Sequence, residues 1–195
     1  MRIFLAGTTG VIGIRLIPLL RDAGHHVAGM TRSAQRADAM RDAGAEPVVC
    51  DVYDGAALCD AVTAYAPDAV INELTDLPDD VNEIPATTDR NIRMRREGTG
   101  NLLAVTGALP GPRRRFVVQS VAWDLPGEGG VAALDQERSV LDFGGVVVRY
   151  GQFYGPGTYW VDETPPDPHI QIDDAARRTL PALEPGSVLE VVDSA

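Results

Sequence analysis

Three glycines spaced three residues apart stand near the start of the chain, in the segment Gly7–Gly13. An aliphatic run, Arg2–Ala6, precedes them, and apolar residues with a helical period follow in Val11–Ala23. Between a strand and a helix, the first glycine permits a tight turn, the second lets a pyrophosphate approach the backbone, and the third allows close helix–strand packing. The N-terminus of the helix then faces the anion. We therefore predict a dinucleotide here, bound by Gly7, Thr9, Gly10, Val11, Ile12 and Gly13.

The residues after the second predicted strand, His26–Met30, indicate which of two dinucleotides is bound. A residue that recognises the ribose 2′-hydroxyl would be an Asp or Glu about 20 residues past the loop. This chain has Arg32 there, 19 positions after Gly13, followed by Ser33. A guanidinium suits a 2′-phosphate, and a serine hydroxyl adds a donor. The sequence thus favours NADP(H) over NAD(H), with a solvated surface arginine as the alternative.

Short aliphatic runs alternate with helical stretches along the chain, which predicts βαβ units and a parallel sheet. We predict strands at Arg2–Ala6, His26–Met30, Glu46–Cys50, Asp68–Asn72, Arg115–Ser120, Gly145–Arg149 and Ser187–Val192. We predict helices at Val11–Ala23, from Ser33 to before Gly44, at Gly55–Tyr65, Asp89–Ala108, Val131–Phe143 and Asp173–Leu183, with Ser33 and Asp54 as N-caps and with loops at Gly127–Gly130 and Tyr150–Pro168. The expected fold is a Rossmann-like, doubly wound α/β fold with a mostly parallel sheet of about seven strands, formed by residues 1–195 as one domain.

The composition excludes several classes of protein. A formal net charge of -11 argues against nucleic acid and anionic membranes as partners, because both attract basic surfaces. No apolar run approaches the roughly 18 to 20 residues of a membrane span, and the N-terminus lacks the pattern of a signal peptide. Cys50 and Cys59 show no CxxC or histidine pattern, so we interpret them as reduced, largely buried thiols and expect no metal site. We expect a cytoplasmic protein with a small-molecule substrate.

Further motifs follow the glycine loop in a fixed order: Cys50-Asp51-Val52, Val70–Thr75, Glu97–Leu103, Val148–Gly157 and His169–Ala176. Together they resemble the extended short-chain dehydrogenase/reductase superfamily, in its NAD-dependent epimerase/dehydratase branch. The resemblance implies that Asp51, beside Val52, contacts the adenine amino group. It also implies that the backbone at Leu74 and Thr75 lines the nicotinamide-side ribose, and that the segment containing Tyr154 lies near the nicotinamide.

The catalytic residues of that superfamily are not all present. Active members use a Tyr-x-x-x-Lys pair with a Ser or Thr; the tyrosine exchanges a proton with the substrate, and the lysine lowers its pKa. This chain contains no lysine, and none of its five tyrosines has an arginine four residues on. Counting back from Glu137 places the pair at Gly129 and Ala133. Ser120 is one catalytic candidate, although the register places the family's Ser/Thr at Val121, and Tyr154 is the other.

The substrate side is short as well. Only 11 residues, Thr158–Pro168, stand where the family has a sizeable segment, so we expect the substrate subdomain to be largely absent. Three functions stay open: a divergent oxidoreductase or epimerase with degenerate catalytic machinery, a non-enzymatic nucleotide sensor or scaffold, and a non-redox catalyst on the same fold. The missing lysine favours the second and third, whereas the glycine loop favours the first and second.

Overall fold

A computed structural model describes residues 1–193 and places a seven-stranded parallel sheet at the centre of the protein, which confirms the predicted fold class. The strands are β1 (Arg2–Ala6), β2 (His26–Thr31), β3 (Glu46–Val49), β4 (Ala69–Asn72), β5 (Arg115–Val121), β6 (Val146–Tyr150), β7 (Gln152–Tyr154), β8 (His169–Gln171) and β9 (Val188–Val191). The order in the main sheet is β3-β2-β1-β4-β5-β6-β9, and β7 pairs with β8 separately. The strand order reverses between β1 and β4, where open α/β sheets bind their ligands.

Seven α-helices cover the two faces of the sheet in the described part of the chain. They are α1 (Gly13–Asp22), α2 (Ala37–Ala43), α3 (Gly55–Tyr65), α4 (Ile84–Arg93), α5 (Thr99–Ala108), α6 (Gly127–Phe143) and α7 (Ile172–Thr179). A π-helical stretch, Met94–Gly98, joins α4 to α5, and 3₁₀ turns lie at Ala34–Arg36, Val81–Glu83 and Leu180–Leu183. Among the described helices, none combines the length and apolarity needed to cross a bilayer.

The core is aliphatic and lies on both sides of the sheet, because every inner strand of a parallel sheet is covered twice. On one side, α1 and α7 pack against the sheet through residues such as Leu16, Ile17 and Ala175. On the other side, α3, α5 and α6 contribute Leu58, Leu102 and Val140. The strands between these layers are parallel, so their carboxyl ends lie at one edge of the sheet, where the residues predicted after β1, β2, β3 and β4 follow.

Two predicted helix starts were wrong, one because of tertiary packing and one because proline is tolerated in the first turn of a helix. The predicted loop Gly127–Gly130 is the first turn of α6, where a Cβ on Gly130 would stand 2.0 Å from the Leu125 carbonyl oxygen. Gly130 therefore serves close packing despite the low helix propensity of glycine. The helix predicted from Asp89 begins at Ile84, with Pro85 in its first turn, where a missing N–H costs nothing.

Other differences concern loops, caps and one thiol. The segment predicted as a loop after Tyr150 contains β7, whose partner β8 lies beyond the proline-rich stretch. Ser33 does not cap a helix, because its hydroxyl donates to Gln35 Oε1 (3.0 Å). Cys59 is exposed, whereas Cys50 is buried as predicted. The predicted cap at Asp54 is confirmed, since its carboxylate accepts from the Ala57 N–H at 3.0 Å.

Candidate functional site

The glycine loop is shaped by contacts that only glycine permits at two of its three positions. Gly7 has φ +85°, and a Cβ there would lie 2.7 Å from the backbone of Glu73. A Cβ on Gly13 would lie 2.2 Å from the Gly7 carbonyl oxygen. Gly10 differs, because the nearest atom to its Cβ would be Gly7 O at 3.3 Å. The first and third glycines thus close the turn, and the second leaves the space in front of α1 free for a ligand phosphate.

The other predicted residues of the loop support its shape. The Gly10 N–H donates to the Gly7 carbonyl at 3.0 Å, and the buried Ile12 packs into the core between α1 and the sheet. Arg15 of α1 donates to the carbonyl oxygens of Val11 (2.8 Å) and Pro156 (2.6 Å) and pairs with Asp173 (2.7 Å). Arg15 therefore ties the loop to the segment after β7 and to α7, a role that the sequence did not reveal.

Arg32 and Ser33 lie at the carboxyl end of β2, on the side of the loop where the sequence predicted the adenosine. The Arg32 guanidinium is more than half exposed, with Nη2 3.9 Å from Asp76 Oδ1. The Arg36 Nη1 donates to the Thr9 carbonyl oxygen at 3.4 Å and so brings a second cation beside the glycine loop. Arg36 was not among the predicted site residues, although its position four residues after Arg32 was a usable signal.

Asp51 and Val52 lie at the next turn, after β3. Asp51 is exposed, and its Oδ1 accepts from the Tyr53 N–H at 2.9 Å. Val52 is buried, and its carbonyl oxygen accepts from Asn101 Nδ2 at 3.0 Å. The Asp51 side chain is therefore accessible, whereas Val52 holds the turn against α5.

Leu74 and Thr75 follow β4 at the crevice between β1 and β4. The Leu74 N–H donates to Asn72 Oδ1 at 3.1 Å, and its carbonyl oxygen accepts from Gln119 Nε2 at 3.1 Å. Gln136 of α6 in turn donates from Nε2 to the Gln119 carbonyl (2.8 Å) and accepts from the buried Arg95 Nη1 (3.3 Å). Burial lowers the pKa of Arg95, while Glu137 raises it. This polar chain, invisible in the sequence, fixes the backbone at Leu74; Thr75 beyond it is exposed.

Ser120, the first catalytic candidate, is held in a buried ionic cluster. Its side chain is 1% exposed, and its Oγ donates to Glu137 Oε1 at 2.6 Å. Arg149 donates to both oxygens of Glu137, at 3.0 and 2.5 Å. Burial raises the pKa of Glu137, but the hydrogen bonds from Arg149 and Ser120 outweigh burial and leave that pKa below its ordinary value. The Ser120 hydroxyl is therefore committed to an ionised carboxylate.

Tyr154, the second candidate, lies on β7 and shares no hydrogen-bond partner with Ser120 among the described contacts. Its hydroxyl donates to Asp193 Oδ2 at 3.0 Å, and its ring meets His169 edge-on with centroids 5.7 Å apart. The hydrogen bond to Asp193, together with desolvation, raises the Tyr154 pKa. A tyrosine that acts as an acid–base catalyst requires a lowered pKa, so the direction of this shift is the opposite of what catalysis needs.

The two positions assigned to the missing Tyr-x-x-x-Lys pair both lie on α6. Gly129 is in its first turn, and Ala133, one turn later, is buried against the protein. Neither side chain carries a proton-transferring group. Both positions that the sequence assigned to the pair therefore lie on one helix, one turn apart.

The family is established by sequence. The sequence profile of the NAD dependent epimerase/dehydratase family matches residues 3–123, more than half of the chain. The protein belongs to this family, as its motifs predicted.

One relative of known activity is similar to most of the chain. The chain is 36% identical over 183 residues to a 3-diazoavenalumate denitrifying reductase of a Streptomyces species; the match covers 81% of this chain and 58% of that reductase. The chain therefore spans less than two thirds of this relative's length.

Among solved structures, the UDP-glucose 4-epimerase of Thermotoga maritima, with UDP-glucose, superposes with a TM-score of 0.78 at 16% identity, over 98% of this chain and 77% of the epimerase. The Thermus thermophilus UDP-glucose 4-epimerase, in complex with NAD, gives 0.77 at 18% identity, over 98% and 78%. At these identities the likeness shows a shared fold.

Proposed function

We propose that the chain is the dinucleotide-binding core of a reductase that uses NADP(H) and acts without a Tyr–Lys pair. The observation that carries the proposal is the combination of a closed, ligand-ready glycine loop with Gly129 and Ala133 at the two catalytic positions. The loop offers the N-terminus of α1 to a pyrophosphate, and the edge formed by β4, β5 and β6 receives the nicotinamide half. When bound, the dinucleotide supplies a hydride. The protein positions the dinucleotide and contributes charged side chains.

The substrate class is inferred from the hydride acceptors that can be reduced without a proton from the protein. A carbonyl becomes an alkoxide on hydride transfer and requires a proton donor, which contributes about 10²- to 10⁴-fold to the rate. A diazonium carbon (C–N₂⁺) instead gains the hydride while the C–N bond breaks and its electron pair leaves with neutral N₂, so the charges balance without a proton. No oxyanion forms, so a chain without the Tyr–Lys pair can carry it out. The similarity to a denitrifying reductase supports a diazo-bearing aromatic substrate.

The preference for a 2′-phosphate rests on Arg32, with Ser33 and Arg36 beside it. Arg32 is exposed and its ion pair with Asp76 is loose, at 3.9 Å, so a phosphate can replace Asp76 as the partner of the guanidinium in a charge-assisted bond. A hydrogen bond to a charged group contributes about 1.5 to 3 kcal/mol, or roughly tenfold or more in affinity. Arg32→Ala is expected to remove most of the preference for NADPH over NADH in calorimetry, whereas Arg41→Ala, a surface change on α2, is expected to keep it. Equal wild-type affinities would contradict this part of the proposal.

Binding at the loop is tested by Gly10→Val. Because the Cβ of residue 10 meets only Gly7 O at 3.3 Å, the variant is expected to fold and to lose dinucleotide binding by filling the space in front of α1. Gly55→Val is the matched control, since a Cβ there has no atom within 4 Å. Calorimetric titration with NADPH, alongside circular dichroism of both variants, makes the measurement. A wild-type protein that binds neither NADPH nor NADH at millimolar concentration would overturn the proposal.

Turnover is tested by offering NADPH with an aromatic diazo acid, a simple ketone and a nucleotide sugar. We expect NADPH oxidation and N₂ release only with the diazo compound, and the Gly10→Val protein gives the non-enzymatic background. Ketone turnover above about 1 s⁻¹, the low end of ordinary enzymes, would show that another residue donates the proton. Substitution of Tyr154 and His169 would then identify that residue.

A further inference from the structure

Glu73 is a buried carboxyl group in the wall of the glycine loop that the proposed chemistry does not use. It directly follows β4; its N–H donates to the Ala6 carbonyl at 2.9 Å, and its backbone lies against Gly7. The side chain is 5% exposed, and its Oε2 is buried without a hydrogen-bond partner in the described structure. A carboxylate in such a place is unstable unless something compensates its charge.

The contacts of Glu73 require one more hydroxyl hydrogen than Tyr150 and Thr179 supply. Tyr150 Oη lies 3.1 Å from Glu73 Oε1 and 2.7 Å from Thr179 Oγ1, and Thr179 Oγ1 lies 2.8 Å from the Ala175 carbonyl oxygen. The carbonyl only accepts, so the Thr179 hydroxyl donates to it. The single Tyr150 hydrogen can then be donated either to Glu73 or to Thr179, but not to both. All three contacts are hydrogen bonds only when Glu73 carries a proton.

Charged groups around Glu73 do not change this conclusion. Tyr150 is the titratable group that contacts it, and burial raises the pKa of Glu73 to about 8, against a smaller lowering by Tyr150. The charged side chains of the surrounding elements are engaged elsewhere: Arg15 with Asp173, Arg177 with Asp174, Arg178 with the Val192 carbonyl, and Arg149 with Glu137. No cation within ion-pair distance of Glu73 occurs in residues 1–193.

We infer that Glu73 is a redox-linked proton site, which keeps its proton beneath a reduced dinucleotide and releases it to solvent when the oxidised form binds. The inference rests on the proposed function, which places the nicotinamide half over the carboxyl ends of β4, β5 and β6. The oxidised nicotinamide carries a positive charge that the reduced ring lacks, and this charge favours the ionised carboxylate. On ionisation, the Tyr150 hydroxyl turns from Thr179 to Glu73 Oε1, so the carboxylate gains a donor without any change of backbone.

The coupling is reciprocal, because a ligand that promotes ionisation binds better when ionisation is already complete. The affinity for the oxidised dinucleotide, relative to the reduced one, is therefore expected to rise from about pH 6 to about pH 9 by on the order of tenfold. A tenfold change corresponds to a coupling of about 1.4 kcal/mol between the two charges. Under reducing conditions, the same linkage makes the cofactor easier to keep reduced at low pH.

Calorimetry in two buffers of different ionisation enthalpy tests the inference directly, because the difference in heat counts the protons released. NADP⁺ and NADPH carry the same 2′-phosphate, so proton changes of that phosphate cancel between them. For the wild-type protein near pH 7 we expect proton release with NADP⁺ in excess of that with NADPH. The excess is expected to vanish in Glu73→Gln, whose amide can still donate to Tyr150, and to persist in Glu83→Gln, an exposed control.

Tyr150→Phe provides a second variant. It removes the donor that the ionised carboxylate gains, so the excess release is expected to move to higher pH. Equal release with both dinucleotides, or an excess that survives in Glu73→Gln or stays unchanged in Tyr150→Phe, would overturn the inference while leaving the proposed function intact. Failure of both dinucleotides to bind would overturn the proposed function, and the coupling with it.

Discussion

Two buried glutamates at the same edge of the sheet, Glu73 and Glu137, end in opposite charge states. Both are almost excluded from solvent, with 5% and 6% of their surfaces exposed. Glu137 receives hydrogen bonds from Arg149 and Ser120, which outweigh burial and lower its pKa. Glu73 has only Tyr150, and burial raises its pKa to about 8. Burial alone therefore does not decide the charge of a carboxyl group; its partners do.

The difference between the two sites originates in adjacent residues of β6. Successive side chains of a strand point to opposite faces of the sheet. Arg149 therefore reaches Glu137 on the α6 side, and Tyr150 reaches Glu73 on the α7 side. The α6 side thus obtains a cation and keeps an ion pair, whereas the α7 side obtains a neutral hydroxyl in an aliphatic layer. Two adjacent residues of β6 therefore contribute to an ion pair on one face of the sheet and to a neutral hydrogen-bonded group on the other.

The largest expected effect is on the pH dependence of stability, and it comes from Glu73. Its pKa is about 8 in the folded protein and about 4.3 in the unfolded chain, so protonation favours folding. The contribution of Glu73 to stability is full below about pH 4 and is lost as the pH rises toward 8, by roughly 5 kcal/mol at most. Glu73→Gln is expected to be the more stable protein at pH 8 and to remove this slope, as measured by urea unfolding without dinucleotide at a series of pH values.

The difference between variant and wild type isolates Glu73, because the other carboxyl groups titrate in both proteins. Glu83→Gln, on the exposed turn before α4, serves as the control and is expected to follow the wild-type profile. Parallel profiles for Glu73→Gln and the wild type would mean that Glu73 is ionised in the folded protein, and the contrast with Glu137 would disappear.

Glu137→Gln is expected to have a smaller effect with the opposite dependence on pH. Its pKa is lowered in the folded protein, so its contribution to stability is present at neutral pH and is lost as the pH falls through that lowered value. Removing one partner of a fully buried pair costs about 3 to 5 kcal/mol. Because the Arg149 side chain is 33% exposed, we expect about 2 to 3 kcal/mol at pH 7. Urea unfolding at pH 7 and pH 3 measures it; a variant stabilised at pH 7 would contradict the ion pair.

The features that depend on residues adjacent in the sequence were predictable from the sequence. The glycine loop is recognisable because Arg2–Ala6, Gly7–Gly13 and the helix are contiguous, and the seven strands follow from their aliphatic runs. The state of Glu73 was not predictable in this way, because its partner Tyr150 lies 77 positions away and its burial depends on the packing of α7. The start of α6 was missed for a similar reason, since Gly130 is explained by the nearby Leu125 carbonyl and not by helix propensity.

The smallest expected effect comes from Ser120→Ala, which separates a structural from a catalytic role for this serine. The variant loses one of the three hydrogen bonds to Glu137, while Arg149 keeps the other two, so we expect a loss of about 1 to 2 kcal/mol in unfolding free energy. Because the proposed reaction needs no protein acid, turnover of the diazo substrate should fall far less than the roughly 10²- to 10⁴-fold that loss of a general acid costs. Ser139→Ala, which removes an exposed hydroxyl of α6 bonded to the Asp135 carbonyl, is the matched control for both measurements. If Ser120→Ala instead slows turnover by about a hundredfold or more, with KM and the Ser139→Ala control unchanged, Ser120 takes part in catalysis, and its hydroxyl must leave Glu137 to reach the substrate.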